Sequence, residues 1–183
     1  DMNGNSELAV PQNTLGAELR QLENKQWEQI TLPHTPFVEP LTVLHQWQGI
    51  CYYKKKITIT PEEAKKHIWI EFEGAMHLAD VWINGKHVMQ HAGGYTPFVV
   101  DATGLLKTDK ENELLVRLDN RNNSLIPPGK PLETLDFCYY GGIYRNVHLI
   151  AKADVHITHP ILDGHPAGAG IFITYPKVSL ELS

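Results

Sequence analysis

Ala79-Asp80-Val81-Trp82-Ile83-Asn84-Gly85-Lys86-His87-Val88-Met89-Gln90 is the stretch that decides the fold class. Two β-type runs flank Asn84-Gly85, and both residues of that pair tolerate positive φ, which a two-residue hairpin turn demands. Outward from this hairpin the same period of two recurs. In His67-Ile68-Trp69-Ile70-Glu71-Phe72-Glu73, the residues Ile68, Ile70 and Phe72 point one way, and Trp69, Glu71 and Glu73 point the other. Half-buried strands read like this. Related runs lie at 28–32, 51–60, 97–100, 114–118 and 143–150, and the predicted strands fall near residues 49–59, 67–73, 78–83, 86–91, 112–119 and 143–151. Helix is scarce. Thr60-Pro61-Glu62-Glu63 is a capping-box pattern with proline at the first helical position, good for one or two turns. A second short turn is expected at 103–106. Short strands at roughly ten-residue spacing predict an all-β jelly-roll sandwich.

The 183 residues suffice for a buried core, and 42% of them are hydrophobic, the normal share for a folded chain. No run approaches the ~20 apolar residues of a membrane helix, so no membrane span is expected. The net charge of −5 lacks the basic excess that grips phosphate backbones, so nucleic acid is not an expected partner. Cys51 and Cys138 are too few for a thiolate zinc site; they could pair, or remain two partly buried thiols. The N-terminus shows no signal-peptide pattern. Its start at Asp1 favours a leader already removed, and with it a periplasmic or extracellular location over a cytoplasmic one.

The longest non-periodic segment runs from Asp119 to Gly142, opening with Asp119-Asn120-Arg121-Asn122-Asn123 and closing with Asp136-Phe137-Cys138-Tyr139-Tyr140-Gly141-Gly142. Loops beyond ~15 residues inside a domain are uncommon and often functional. After Asp154 the composition shifts again. Turn formers at 163–170 precede a β-type run at 171–182, which reads as the start of a further domain. The expected division is 1–155 for the jelly roll and 156–183 for a linker and the start of an immunoglobulin-like domain.

Catalytic patterns are thin. There is no Gly-x-Ser-x-Gly elbow and no phosphate-binding glycine loop, so no cofactor is expected. His87 and His91, four apart on a strand, would share one face about 13 Å apart, too far to ligate one ion. His156 and His159 would lie on opposite faces of a strand, and no metal is expected. Glu71 and Glu73 could approach the roughly 5–5.5 Å spacing of a retaining glycosidase, yet acids are spread all along the chain and a solvated strand face accounts for the two. No catalytic residue is assigned.

Seven stretches in order carry a resemblance. They are Ile30-Thr31-Leu32-Pro33-His34-Thr35; Gly49 with Tyr52-Tyr53-Lys54-Lys55; Phe72-Glu73-Gly74-Ala75; Ala79 to Gly85; Gly93-Gly94-Tyr95-Thr96-Pro97-Phe98; Asn112 to Arg117; and Asp136-Phe137 with Tyr140 to Val147. Together, over residues 30–150, they resemble the N-terminal sugar-binding domain of glycoside hydrolase family 2, the β-galactosidases and β-glucuronidases. Pro36 stands where many members carry tryptophan. The resemblance implies a galactose-binding-like jelly roll whose partners are a carbohydrate and, within a retaining parent enzyme, a catalytic barrel and an immunoglobulin-like domain. The catalytic glutamates would belong to that barrel. It also implies that Asp136 reaches over to the sugar in the barrel. His34, Tyr139 and Tyr140 are the further candidates for substrate contact; Tyr139, Tyr140 and Tyr144 could each stack on a sugar face or pack in the core, and Arg145 would tie the loop to a strand. An autonomous carbohydrate-binding module and a purely structural docking domain remain as alternatives. Exposed coplanar aromatics would favour the first, and a large apolar patch the second.

Overall fold

The structure is a computed structural model describing residues 6–9, 27–37, 46–137, 140–165, 170–171 and 173–177. Among the described residues two antiparallel sheets are formed by nine strands: β1 (Ser6–Ala9), β2 (Glu28–Ile30), β3 (Ile50–Ile57), β4 (His67–Phe72), β5 (Leu78–Ile83), β6 (Lys86–Ala92), β7 (Phe98–Asp101), β8 (Asn112–Asp119) and β9 (Val147–Lys152). The larger sheet has the order β2-β1-β3-β8-β5-β6 and the smaller β7-β4-β9. From β3 onward the chain changes sheet at nearly every step, so its two faces close over one core. This is the all-β sandwich that the alternation predicts.

The period of two does the sorting. On β8, Leu114, Val116 and Leu118 point into the core with Ile68, Ile70 and Phe72 of β4, while Leu115, Arg117 and Asp119 take the outer face. Phe72 and Phe98 stack at 4.6 Å between ring centroids, a geometry that adds to the burial of two large side chains. Cys51 is a buried free thiol whose pKa burial pushes far up; Cys138 lies outside the described residues. Trp82 packs on the outer face of the large sheet against Tyr52, Ile50 and Leu115.

The turn at Asn84-Gly85 has φ of 52° and 77°, as the hairpin requires. At the 60–66 turn the capping box is complete: the Thr60 amide donates to Glu63 Oε2 at 2.7 Å and the Glu63 amide donates to Thr60 Oγ1 at 3.2 Å. It opens a single 3₁₀ turn, Glu63–Lys65. The turn at 103–106 is also present, with the Leu105 amide donating to Ala102.

Three expectations change. The last strand starts at Val147 rather than 143, because residues 143–146 bond to loops instead of a strand: His34 donates to Ile143 and Glu73 to Asn146. His87 and His91 do not share a face. The β5–β6 register shifts between Val81 and Trp82, a bulge that turns both Val88 and Met89 toward the core. Thus His87 points outward to Asp80, whereas His91 stacks on Phe98 at 4.5 Å. His156 and His159 follow β9 in irregular chain, and both rings lie edge-on to Trp69, at 5.1 and 5.6 Å. Strand parity does not apply to them.

Candidate functional site

The registers place one set of strand ends together. Leu78, opposite Asp119 and Ala92, marks that end of the large sheet, and Phe72, opposite Phe98 and Val147, marks it in the small sheet. Consequently the connections 73–77, 93–97 and 120–146 all emerge there, joined by 46–49 leading into β3. Loops on a rigid scaffold are where binding residues concentrate.

These loops are laced to one another. Met76 donates to Gly142 at 3.0 Å, Gly93 to the His77 carbonyl at 2.9 Å, and His34 to the Ile143 carbonyl at 2.8 Å. Asn120, 1% exposed, accepts from the Gly49 amide at 2.7 Å and donates to the Trp47 carbonyl at 3.0 Å. Gly142 has φ of 106°, and a Cβ there would meet the His34 carbonyl and the Tyr53 hydroxyl at 2.6 Å, so the close crossing of these segments needs glycine.

Asp136 sits exposed just after the 3₁₀ turn Leu132–Thr134. Leu132 and Leu135 are buried against Met76, with Tyr144 packed alongside, so the chain on the N-terminal side of Asp136 is anchored while its carboxylate faces solvent. Among the described residues the carboxylate forms no ion pair or hydrogen bond, with Arg145 or any other group. Arg145 is itself exposed. Tyr144 is a packing residue whose hydroxyl donates to the Gly94 carbonyl. Tyr140 is half-buried beside Gly141, and Tyr139 lies outside the described residues. His34 is half-buried, its Nδ1 hydrogen-bonded to the Tyr53 hydroxyl at 3.1 Å. Burial lowers its pKa against the smaller upward pull of Glu28, which favours the neutral ring. Glu71 and Glu73, the adjacent strand acids, take separate partners: His159 lies 3.5 Å from Glu71, and His148 and Asn146 donate to Glu73.

One feature of this end carried no assigned role in the sequence. A polar cleft of about 300 Å³ is lined by His77, Leu78, Asp119, Arg121, Asn122 and Asn123. Burial alone would raise the Asp119 pKa, but hydrogen bonds and charge from Arg121, with Arg117 behind it, hold the carboxyl below its ordinary value. Asp119 belongs to a ladder across three strands, in which His87 and Gln90 donate to Asp80, Arg117 bridges Asp80 and Asp119, and Arg121 donates to Asp119 through its amide, Nε and one Nη. The run 119–123 announces a polar loop in the sequence; which groups face one cleft depends on the β5–β8 register. Among the described residues, no group of three or more metal-ligating side chains could hold an ion.

The sugar-binding domain of the glycosyl hydrolases family 2 matches residues 3–153, and the chain belongs to that family. It is 33% identical over 153 residues to a β-galactosidase of Thermoanaerobacter pseudethanolicus, covering 82% of this chain and 20% of that protein. It is 37% identical over 156 residues to a β-glucuronidase of Bacteroides fragilis, covering 82% of this chain and 21% of that one. The crystal structure of a Bacteroides uniformis β-glucuronidase superposes with a TM-score of 0.68 at 28% identity, over 87% of this chain and 19% of that one. The chain therefore spans about a fifth of the length of these relatives, which are much larger enzymes. Among the described residues no helix is long and apolar enough to cross a membrane.

Proposed function

We propose that this chain, as residues 1–155 with a linker and the start of an immunoglobulin-like domain at 156–183, is the non-catalytic active-site rim of a retaining glycosidase acting on β-galactosides or β-glucuronides. The catalytic glutamates belong to a barrel elsewhere in the parent, and the loop-rich end of the sandwich faces it. Asp136 accepts a hydroxyl hydrogen bond from the sugar held in that barrel; His34, through Nε2, and Tyr140 line the approach, and Tyr139, outside the described residues, is a further candidate for sugar contact. The observation that carries this reading is the Asp136 carboxylate itself. It is exposed, without a protein partner among the described residues, on a loop whose flank is pinned to Met76. A charged acceptor held this way is spent on neither packing nor an internal ion pair. The lack of an Asp136–Arg145 pair counts against a purely loop-anchoring role.

The test is Asp136→Ala in the enzyme that carries this chain. A hydrogen bond to a charged group contributes about 1.5–3 kcal/mol, so kcat/KM should fall roughly 10- to 150-fold with the melting temperature unchanged. Full activity would remove Asp136 from the site. A fall in melting temperature, reproduced by Arg145→Ala, would return it to a structural role.

A further inference from the structure

The cleft beside Asp119 has a chemical polarity that its hydrogen bonds reveal. Asn122 Oδ1 accepts from Gln48 Nε2 at 2.8 Å and from the Leu132 amide at 3.0 Å. Both partners are N–H donors, so the oxygen must face them, and the Asn122 amide nitrogen is turned the other way. Asn123 repeats the arrangement, its Oδ1 accepting from the Leu125 amide at 2.9 Å. Arg121 uses Nε and one Nη on Asp119, leaving its other Nη. Among the described residues none of these remaining N–H groups has a protein acceptor. Three consecutive residues with spare donor groups therefore line a cleft of about 300 Å³, the lower end of the range that small-molecule sites occupy.

The charge balance says what the donors suit. The Arg121 guanidinium is matched by Asp119, and Arg117 is shared between Asp119 and Asp80. An anion entering the cleft would find donors but no surplus cation, and it would lie close to the Asp119 carboxylate. A neutral polyhydroxyl ligand meets no such penalty: its hydroxyl and ring oxygens accept from Asn122, Asn123 and Arg121, and Leu78 gives its C–H face an apolar contact. Asn122 also holds the Leu132 amide of the turn that leads to Asp136, so cleft and carboxylate share one loop.

We infer that this cleft is a second glycan subsite, binding a neutral sugar unit through the donor groups of Asn122, Asn123 and Arg121, apart from the sugar that Asp136 meets. Only its place along the substrate rests on the rim reading; the contacts belong to this chain alone.

The experiment is a titration of the ¹⁵N-labelled 183-residue chain with lactose, cellobiose and glucuronic acid, following the side-chain amide signals of Asn122 and Asn123. The neutral disaccharides should shift both signals with millimolar affinity. Asn122→Asp and Asn123→Asp keep the Oδ1 acceptors that hold Leu132 and Leu125 but delete the donors, and each should weaken binding about tenfold. Retained spectral dispersion shows that a variant is folded. Should Asn122→Asp lose it, Asn123→Asp, which disturbs only the local turn at Leu125, carries the comparison. Unmoved amide signals at saturating sugar, shifts with glucuronic acid alone, or undiminished binding by a folded Asn123→Asp would each overturn the subsite. Since this titration needs no catalytic domain, its failure and the failure of the Asp136 reading are separate results.

Discussion

Replacing Asn112 should cost more than any surface change in this chain. Asn112 opens β8 and is 0% exposed. Its Oδ1 accepts from the Lys107 amide at 2.7 Å and from Asn84 Nδ2 at 2.9 Å, and its Nδ2 donates to the carbonyls of Ile57 and Lys107 at 3.2 and 2.8 Å. One side chain thus fastens the end of β3, the 107–111 loop and the β5–β6 turn. Asn112→Leu keeps nearly the same volume and strands all of these groups. The Ile57 bond is fully buried, while the others lie nearer water. At about 1–3 kcal/mol for each buried group left unsatisfied, two effective losses give about 2–6 kcal/mol. In a chain of this size each kcal/mol moves the melting temperature by about 2–4 °C, so a fall of roughly 10 °C is expected. Urea unfolding and a thermal melt, each against Glu113→Ala as the exposed neighbour, would measure it. A loss below about 1 kcal/mol, or one matched by Glu113→Ala, would refute the fastening role.

Gly85→Val should destabilise by more than about 1 kcal/mol. A Cβ at Gly85 meets nothing within 4 Å, so the cost comes from forcing a β-branched residue to a φ of 77°, and an unchanged melting point would contradict that. Burial lowers the pKa of His34, His77 and His91, with Glu28 opposing it at His34 and Asp119 at His77. Below about pH 6.5 the unfolded chain therefore binds more protons at these sites than the folded one, and stability should fall with pH. Equal melting temperatures at about pH 7.5 and about pH 5.5 would count against it. Asp119 has the same sign at lower pH: its contribution is complete above the ordinary carboxylate pKa of about 3.9 and is lost as pH falls through its lowered folded value. Finally, the 183-residue chain should hydrolyse no chromogenic galactoside or glucuronide. Turnover abolished by changing Glu71 or Glu73 would reverse that expectation.

The sheet was legible where alternation and turn chemistry agree. Ile68, Ile70 and Phe72 face the core, and Asn84-Gly85 makes the turn that positive φ demands. β1 went unread because Ser6–Ala9 is four residues without β-branched or aromatic side chains; its place between β2 and β3 comes from pairing with both neighbours. The bulge in β6 was hidden for a different reason. Val88 and Met89 are both apolar, so either could have been the inward residue, and only the register shows that both are. The long loop announced itself by losing its period. Its cleft did not, because Arg121, Asn122 and Asn123 become one site only through the junction of β5 with β8.

That junction explains how a loop of over twenty residues can present a carboxylate usefully. A mobile Asp136 would lose ordering entropy on every encounter with a ligand, and pre-organisation removes that cost. The fold supplies it by three routes that meet at the same end of the sandwich. Asn120 clamps the loop's first residues to Trp47 and Gly49, Asn122 holds the Leu132 turn, and Leu132 and Leu135 seat on Met76. Met76 in turn pairs with Gly142, where the loop ends. The loop is tied at its beginning, middle and end, yet the Asp136 carboxylate is left out of every tie. Fastening the backbone while leaving the acceptor exposed is the arrangement that the proposed rim role of Asp136 requires.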